Sequence, residues 1–366
     1  MIVSFEENSW QINIMSDLSN LTIIIPSYNR QPFIKRQIAF WKNTSVEVVI
    51  LDGSQTGIFP DEWCENNIRY YHKPVSLEDR LKFASTIIRT EYATMLSDDE
   101  LFVPSALEEC LNFLDNNPDY VACKGQVIGF RRNSFISRCQ GVIGYTDLRG
   151  YEVTSSIPAE RLLEHMSPYA MASLWAVHRA DVLKKTLELA GLRPRYSSAA
   201  AFELQISLIT AWYGKIKVLD RLMWLRSREN RNIWWSFGNV STIDWLTNKK
   251  YKNEIEQFVN DFSFICEKDD ERLNIVKNIS LALNEYSLRG LMTRNDGFLK
   301  SRFYKIILEF IWNNIGERSR VLLRRIMKID RPLLDVAKEL SSAGVFIDFD
   351  ELDQIDLFLI NYKLDA

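Results

Sequence analysis

The sequence contains few of the residues that build several common kinds of site. Only three histidines occur among 366 residues, and they lie far apart at His72, His165 and His178, which argues against a histidine-based metal site. Its five cysteines are an odd number without a C-x-x-C pair, a pattern unlike a zinc ribbon, a redox dithiol or a disulfide framework. Any metal that the protein uses is therefore expected to bind to oxygen ligands.

Long apolar runs and a strong net charge are also missing. The sequence has no apolar span of about 18 residues, the minimum for a transmembrane helix, and the N-terminal residues, with Glu6 and Glu7, do not resemble a secretory signal. The net charge is −3 and the pI is near 5.8, so no overall positive field favours a nucleic-acid partner. We expect a cytoplasmic protein, soluble or peripheral on the inner face of the membrane.

The composition is that of a globular protein, with 46% hydrophobic and 25% charged residues. A chain of 366 residues exceeds the usual single core of roughly 250 residues, so more than one structural unit is expected. Strand patterns dominate before residue 230 and helical spacing dominates after it. We predict an N-terminal extension at 1–20, an α/β domain at 21–230 and a mainly helical region at 231–366.

Short apolar runs alternate with helical stretches in the first half of the chain. Residues 21–25 (LTIII) and 46–52 (VEVVILD) have the length and continuous apolarity of strands that are buried on both faces. Residues 31–42 between them suit a helix, and a second helix at 77–88 leads into a third strand at 92–96. This order predicts a parallel sheet whose ligand sites lie beyond the carboxyl ends of its strands.

Polar residues directly follow these three predicted strands, at 27–30 (SYNR), 52–54 (DGS) and 97–100 (SDDE). Each group alone is typical of an ordinary turn. In a parallel sheet the carboxyl ends of the strands converge on one rim, so the three groups are expected to share a cleft. Their coincidence therefore predicts a functional site.

The residue types in this cleft suit a nucleoside diphosphate. Asp98 and Asp99 offer hard oxygen ligands for Mg²⁺ or Mn²⁺ bridging to a diphosphate, where the cation would neutralise the charge that grows on the leaving group. Asp52 is placed to accept hydrogen bonds from a base or a ribose hydroxyl. Arg30 or Arg80 would contact a phosphate, although a solvated surface charge is the alternative for either arginine.

Three segments, 22–30 (TIIIPSYNR), 48–54 (VVILDGS) and 92–107 (YATMLSDDELFVPSAL), together resemble the N-terminal blocks of family 2 glycosyltransferases with the GT-A fold. The resemblance covers residues 21–110 and continues more loosely to about 230. It implies a GT-A-type α/β domain that binds a nucleotide-diphosphate sugar. Among variants of the family, the segments look closest to bacterial enzymes that build surface polysaccharide.

The resemblance also implies roles for individual residues. The nucleotide is expected at the strand end that carries Pro26, Tyr28 and Asn29, the base at Asp52, and the metal at Asp99 with its neighbour Asp98, which would also contact the donor.

The sequence departs from the family pattern at several positions. Leu51 replaces the first of two aspartates that are usual in the second turn, and Ser97 stands where the first aspartate of the metal motif is usual. The catalytic block, commonly Glu-Asp-x-Glu-Leu, reads AAFEL at 200–204, which puts Ala201 at the usual base position. We expect Glu203 to act as the general base, since burial in an apolar helix would raise its pKa toward a useful value. A carboxylate that only offsets the helix dipole is the alternative.

The predicted activity is a metal-dependent, inverting transfer of a sugar from a nucleotide-diphosphate donor to a hydroxyl of a glycan or lipid-linked acceptor. A catalytically degenerate module that binds nucleotide sugar or glycan is the alternative, which Ala200 and Ala201 keep open. A sugar-1-phosphate nucleotidyltransferase is a weaker alternative, because no glycine-rich phosphate loop follows the first strand.

Residues 299–331 combine nine basic side chains with interleaved aromatic ones. Such an amphipathic stretch suits a peripheral contact with an anionic membrane, where a lipid-linked acceptor would lie. A helix that packs on the catalytic domain and exposes a basic face is the alternative.

Overall fold

The structure is a computed structural model that describes residues 16–58, 67–132, 138–194, 196–229, 240–266, 268–314 and 331–362, with side chains between 293 and 314 excepted. The strands are β1 (Leu21–Ser27), β2 (Glu47–Asp52), β3 (Ile68–His72), β4 (Tyr92–Met95), β5 (Leu101–Phe102), β6 (Tyr120–Arg131), β7 (Gln140–Ile143), β8 (Glu152–Val153), β9 (Val177–Arg179), β10 (Lys215–Ser227) and β11 (Arg331–Pro332).

The α-helices are α1 (Gln31–Trp41), α2 (Leu77–Ile87), α3 (Pro104–Asn116), α4 (Pro158–Met166), α5 (Ala180–Ala190), α6 (Ala201–Tyr213), α7 (Thr242–Thr247), α8 (Lys252–Asp261), α9 (Asp269–Asn314), α10 (Leu333–Ser342) and α11 (Phe349–Asn361). Short 3₁₀ turns cover Thr146–Leu148, Lys249–Tyr251 and Phe262–Ile265.

One mixed sheet organises the described part of the chain, in the order β11-β7-β6-β9-β4-β1-β2-β3. Strands β3, β2, β1 and β4 are parallel neighbours, whereas β9 runs antiparallel between β4 and β6. The long strand β10 lies parallel to β6 and antiparallel to the short strands β5 and β8. The parallel half is the β-α-β architecture predicted from the sequence, and the predicted α/β fold class is confirmed.

Helices cover both faces of the parallel half because successive side chains of a buried strand point to opposite faces. Ile23 and Ile25 of β1 belong to the large core that includes α1 and α3. Ile24, between them, joins the smaller core under α2 and α5. A continuous apolar strand therefore buries all of its side chains in a helix-sheet-helix sandwich.

Most predicted elements lie within a few residues of the observed ones. The strand predicted at 21–25 continues through Pro26 to Ser27, because the strand makes its final pairings with β2 there. Strand β3 was not predicted. Its sequence, IRYYH, is largely polar and half-buried, since β3 is the last strand at its end of the sheet and lacks the apolar run that marks β1 and β2.

The C-terminal helices pack against the sheet. Strand β11 pairs with β7, and the rings of Phe40 in α1 and Phe358 in α11 lie 5.3 Å apart. Side chains from α9, α10 and α11 belong to the same hydrophobic core as β1 and β6. The division at about residue 230 stays a prediction, and residues beyond it contribute to the packing of the α/β domain.

The predicted membrane-contacting segment, 299–331, falls almost wholly outside the described side chains. Residues 299–314 continue the backbone of α9, and 315–330 lie outside the described residues. The peripheral contact therefore stays a prediction. Among the described residues, no helix combines the length and the apolarity needed to cross a membrane.

A buried carboxylate joins α11 to the sheet. Asp356 is fully buried and its Oδ1 accepts a hydrogen bond from the backbone N–H of Cys139 at 2.8 Å. Asp353, one turn earlier, forms an ion pair with Arg138 at the surface.

We expect Asp356→Ala to lower the free energy of unfolding by about 1 to 3 kcal/mol, because it leaves a buried N–H without its acceptor. Asp353→Ala serves as the matched control and should cost less than about 1 kcal/mol, as exposed ion pairs do. Urea unfolding of both variants measures the difference. Equal losses would mean that the Cys139 contact contributes nothing specific.

Candidate functional site

The ends of β1, β2 and β4 meet at one rim of the sheet. Ser27 pairs with Asp52 in the register of β1 and β2, and the Ser27 hydroxyl donates a 2.6 Å hydrogen bond to Asp98 Oδ2. The backbone N–H of Asn29 donates to Ser54 Oγ at 2.7 Å. The three polar groups predicted to share a cleft are therefore linked by direct hydrogen bonds.

Asp52 organises the turn after β2. Its Oδ1 accepts from the backbone N–H and the hydroxyl of Ser54 at 2.9 and 2.5 Å, and its Oδ2 accepts from the Tyr70 hydroxyl at 2.7 Å. The residue is 0% exposed. Its carboxylate thus fixes the turn against β3, and a direct contact with a base stays a prediction.

Arg80 lies beneath the same turn. Its Nη1 donates to the carbonyls of Ser27 and Leu51 at 2.6 and 2.7 Å, so α2 holds the ends of β1 and β2 together. A Cβ at position 53 would lie 2.5 Å from Arg80 Cζ, which explains why the turn carries Gly53. The phosphate contact suggested for Arg80 stays a prediction, and the side chain is buried here.

The strand end at β1 presents an open surface. Tyr28 is 54% exposed, Asn29 is exposed, and Pro26 is half-buried in the last residues of the strand. Asn29 adopts a left-handed backbone conformation, with φ 54°, which asparagine tolerates better than most residues. This conformation turns the chain sharply between β1 and α1 and leaves the Tyr28 ring at the surface of the cleft.

Arg30 joins the aspartates of the third group. Its Nη1 lies 2.8 Å from Asp98 Oδ1 and its Nη2 lies 2.8 Å from Asp99 Oδ2. Burial raises the pKa of Asp98 to about 6, although the Arg30 charge acts in the opposite direction. The two carboxylates therefore already hold one cationic group between them.

The segment 97–100, which follows β4, is called the acidic turn below. Two buried residues of α1 fix its backbone. Gln37 Nε2 donates to the carbonyls of Asp98 and Glu100 at 2.9 and 2.6 Å, and Arg36 Nη2 donates to the Asp99 carbonyl at 2.7 Å. Neither residue was identified from the sequence. Gln37 interrupts the apolar stripe of α1 formed by Ile34, Ile38 and Trp41, a signal that would have singled it out.

Residues 22–175 match the glycosyl transferase family 2 model. This segment is a family 2 glycosyltransferase domain. The predicted family resemblance and the predicted enzyme class, a glycosyltransferase, are confirmed by this match, which includes all three strand ends at the rim.

Solved structures of S. aureus TarS resemble the chain at low identity. TarS residues 1–349 in complex with UDP-GlcNAc share 14% identity with a TM-score of 0.46, covering 78% of this chain and 77% of that one. The same TarS fragment with UDP shares 13% identity with a TM-score of 0.40, covering 77% and 93%. No curated protein sequence matches the chain. The fold assignment follows from the strand order and the family match.

Helix α6, which lies beyond the matched segment, carries the predicted base. Glu203 lies in the first turn of α6 and its Oε1 accepts a 2.6 Å hydrogen bond from the Tyr169 hydroxyl. Burial raises the pKa of Glu203, while the Tyr169 hydrogen bond and the charge of Lys124 oppose that rise. Ala201, at the family's usual base position, is buried and 3% exposed.

A buried polar network lies between Glu203 and the acidic turn. Lys124 in β6 places its ammonium 4.7 Å from the ring centroid of Trp224, and the Trp224 indole donates to Glu100 Oε2 at 2.9 Å. Burial raises the pKa of Glu100 to about 8 and lowers that of Lys124 to about 7. Glu100 belongs to the polar group predicted at 97–100, whereas Lys124 was not identified from the sequence, since it stands alone within the strand β6.

Arg226 is a cation that packs among aromatic rings near the same network. The guanidinium Cζ lies 5.1 Å from the ring centroid of Tyr145 and 5.8 Å from that of Trp224. Within the part of the chain that the structure describes, Arg226 has no ion pair, although the charges of Glu100 and Asp99 act on it. The guanidinium is therefore a half-buried cation beside the acidic turn.

The predicted site residues fall into two groups. Tyr28, Asn29, Arg30, Asp52, Asp98 and Asp99 lie together at the rim, with Arg80 packed beneath them. Glu203 belongs to the neighbouring helix α6, and the charges of Lys124 and Glu203 act on each other. Their assignment to donor, metal and base stays a proposal.

His165 packs against the rings of Tyr151 and Tyr169, next to Glu203. It is fully buried, with Nδ1 at 2.6 Å from the Tyr151 hydroxyl and Nε2 at 3.2 Å from Ser173 Oγ. Its ring lies 5.6 Å from that of Tyr169. Burial lowers the pKa of His165 to about 3, so the folded protein keeps this ring neutral at pH values where the unfolded chain binds a proton.

We expect His165 to lower the free energy of unfolding as pH falls below about 6.5, by up to about 1.4 kcal/mol per pH unit, whereas the raised pKa values of Asp98 and Glu100 act in the opposite direction. His165→Asn removes the His165 contribution, so the variant should lose less stability than the wild type over this pH range. Urea unfolding between about pH 6.5 and pH 4.5 measures both slopes. Identical slopes in variant and wild type would show that His165 titrates as it does in the unfolded chain.

Proposed function

We propose that the protein is a metal-dependent, inverting glycosyltransferase. It transfers a sugar from a nucleotide-diphosphate donor to a hydroxyl of a glycan or lipid-linked acceptor, in surface polysaccharide synthesis. The observation that carries the proposal is the rim where Arg30 lies between Asp98 and Asp99, 2.8 Å from each carboxylate, beside the exposed Tyr28. A nucleotide with a charged diphosphate is the ligand class that such a rim suits.

The acidic turn fits a divalent cation in the chemistry of its ligands. Asp98 and Asp99 supply oxygen atoms only, as Mg²⁺ and Mn²⁺ prefer. The Arg30 guanidinium between the two carboxylates shows that the turn accommodates positive charge. Asp98 and Asp99 would hold the cation, which supplies Lewis-acid neutralisation of the diphosphate when it is bound. Arg30 would then leave the carboxylates and bind the diphosphate.

The remaining donor contacts follow from exposure and charge. Tyr28 and Asn29 are exposed at the end of β1 and would contact the nucleoside, while Asp52 keeps their turn in place through Ser54. Arg226 has an unpaired charge, within the described residues, beside the acidic turn. We assign Arg226 to the leaving diphosphate, since a guanidinium can bind two phosphate oxygens at once.

Glu203 is the proposed general base. Inverting transfer is a single displacement, in which the acceptor oxygen attacks the anomeric carbon as the bond to the diphosphate breaks. The acceptor hydroxyl loses its proton in that step, and a positioned carboxylate accelerates it by about 10² to 10⁴. The Tyr169 hydroxyl orients the Glu203 carboxylate, and burial makes the carboxylate more basic than an exposed one.

A binding module without turnover is the second candidate. Ala201 is buried at the family's usual base position and has no group that accepts a proton. If Glu203 does not serve in its place, the rim would still bind a nucleotide sugar. The family match favours glycosyl over nucleotidyl transfer, so the nucleotidyltransferase alternative gains no support.

We expect Asp99→Ala to weaken the binding of a nucleoside diphosphate in Mn²⁺ by about 10- to 100-fold, because a charged ligand contact is lost. Calorimetry with UDP and with UDP-GlcNAc, the two ligands present in the TarS complexes, is the first measurement, followed by other nucleoside diphosphates. Binding by the wild type should also weaken when the metal is removed.

Asp119→Ala is the matched control, since that aspartate is exposed and pairs with Lys215 at the surface. It should bind like the wild type. Equal binding by Asp99→Ala and the wild type in saturating metal would remove the acidic turn from the donor site.

We expect Glu203→Gln to abolish transfer and to leave donor affinity within about twofold of the wild type. Glutamine keeps the size of the side chain and an oxygen for the Tyr169 hydrogen bond but cannot take up a proton at neutral pH. Rates of transfer to a glycan acceptor, together with calorimetry for the donor, separate the two effects.

Glu188→Gln in α5 is the control, because that carboxylate is exposed and should not affect either quantity. Transfer by Glu203→Gln at the wild-type rate would place the base elsewhere. A wild type that binds donor and never turns over would favour the binding module.

A further inference from the structure

Lys124 is a buried charge that the proposed reaction does not use directly. It is 0% exposed, and none of the ion pairs among the described residues includes it. Taking an ammonium group out of water costs several kcal/mol unless other groups compensate. The surroundings of Lys124 therefore have to supply polar partners. These partners are backbone carbonyls.

The ammonium holds one turn of the chain. Lys124 Nζ donates to the Met171 carbonyl at 2.9 Å and to the Leu174 carbonyl at 2.6 Å. The same turn contains Trp175 with φ 60°, a left-handed conformation that costs a bulky residue energy. Two hydrogen bonds from one charged donor oppose that cost and hold the turn against β6.

This turn directly follows the residue that orients Glu203. Tyr169 lies two positions before Met171, and its hydroxyl contacts both Glu203 Oε1 at 2.6 Å and Ser207 Oγ at 3.2 Å. Lys124 also lowers the pKa of Glu203 through its charge. Lys124 thus acts on Glu203 by two routes. Its hydrogen bonds hold the backbone of residues 169–174, and its charge acts on the Glu203 carboxylate across the buried interior.

We propose that Lys124 is a positioning residue for Glu203, acting through the 169–176 turn and through its charge. The proposal rests on the proposed function for the role of Glu203 as base. The contacts of Lys124 with the turn do not depend on that role, so the two can be tested separately. Ser207 and Tyr169 complete the arrangement by fixing the position of the carboxylate on α6.

Three variants separate the two routes. Lys124→Met removes both the donors and the charge while keeping a long apolar stem, and Lys124→Gln keeps an N–H donor without the charge. Lys217→Met is the matched control, since Lys217 pairs with Glu152 near the surface of β10. Amide hydrogen exchange of the whole chain, without ligand, reports the state of the turn.

We expect exchange in Lys124→Met to become about tenfold faster or more at residues 169–176 and at the start of α6, with residues 21–58 unchanged. Lys124→Gln should restore part of the protection. The melting temperature of Lys124→Met should stay close to that of the wild type, because the variant also relieves the cost of a buried charge. Exchange unchanged at 169–176, or faster equally throughout the chain, would overturn the proposal.

Turnover supplies the second measurement, with UDP-GlcNAc as the first donor probe. Lys124→Met should lower kcat by about 10- to 100-fold with donor KM unchanged, because a misplaced base slows the chemical step and leaves donor binding intact. Lys124→Gln should fall between Lys124→Met and the wild type. A kcat equal to that of Lys217→Met would overturn the proposal, whereas transfer by Glu203→Gln would overturn the base assignment and leave the exchange result standing.

Discussion

The contact of Arg30 with Asp98 and Asp99 is the constraint on which the polar rim of the sheet depends. Two adjacent carboxylates at the end of a buried strand repel each other and lose hydration, so they need a positive partner. Arg30 supplies that partner from the turn after β1, and Ser27 adds a hydrogen bond to Asp98. The same contacts join β1 to the turn after β4. They therefore both neutralise the carboxylates and hold the two strand ends together.

A second set of buried polar groups shapes the side of the domain where α6 begins. Lys124, Glu100 and Trp224 connect the acidic turn to the surroundings of Glu203 within an apolar interior. Such networks are costly when any member lacks a partner. Their location beside two candidate functional groups favours a role in positioning, and the left-handed backbone at Trp175 lies at the same place.

The local pattern of apolar residues predicted most of the strands and helices of the parallel half, to within a few residues of where each strand ends. The runs LTIII and VEVVILD are apolar at every position because their strands are buried on both faces, and both became strands of the parallel sheet. Strand β3 escaped detection because it is half-buried, and its sequence is mixed. Glu203 was identified only through the resemblance. Arg36 looks like an ordinary helix residue until α1 is placed against the acidic turn, whereas Gln37 interrupts the apolar stripe of α1.

The sequence by itself determined the α/β class, the three polar strand ends and the family resemblance of residues 22–175, since these depend on local apolarity and on short motifs. Only the tertiary structure decided which polar groups contact each other. Asp52 faces Ser54 and Tyr70, Arg80 lies beneath its turn, and Lys124 bonds to carbonyls about 50 residues away. The physical reason is that hydrogen bonds and charges act over a few ångströms, so a side chain's role is set by neighbours that the packing of the sheet brings together.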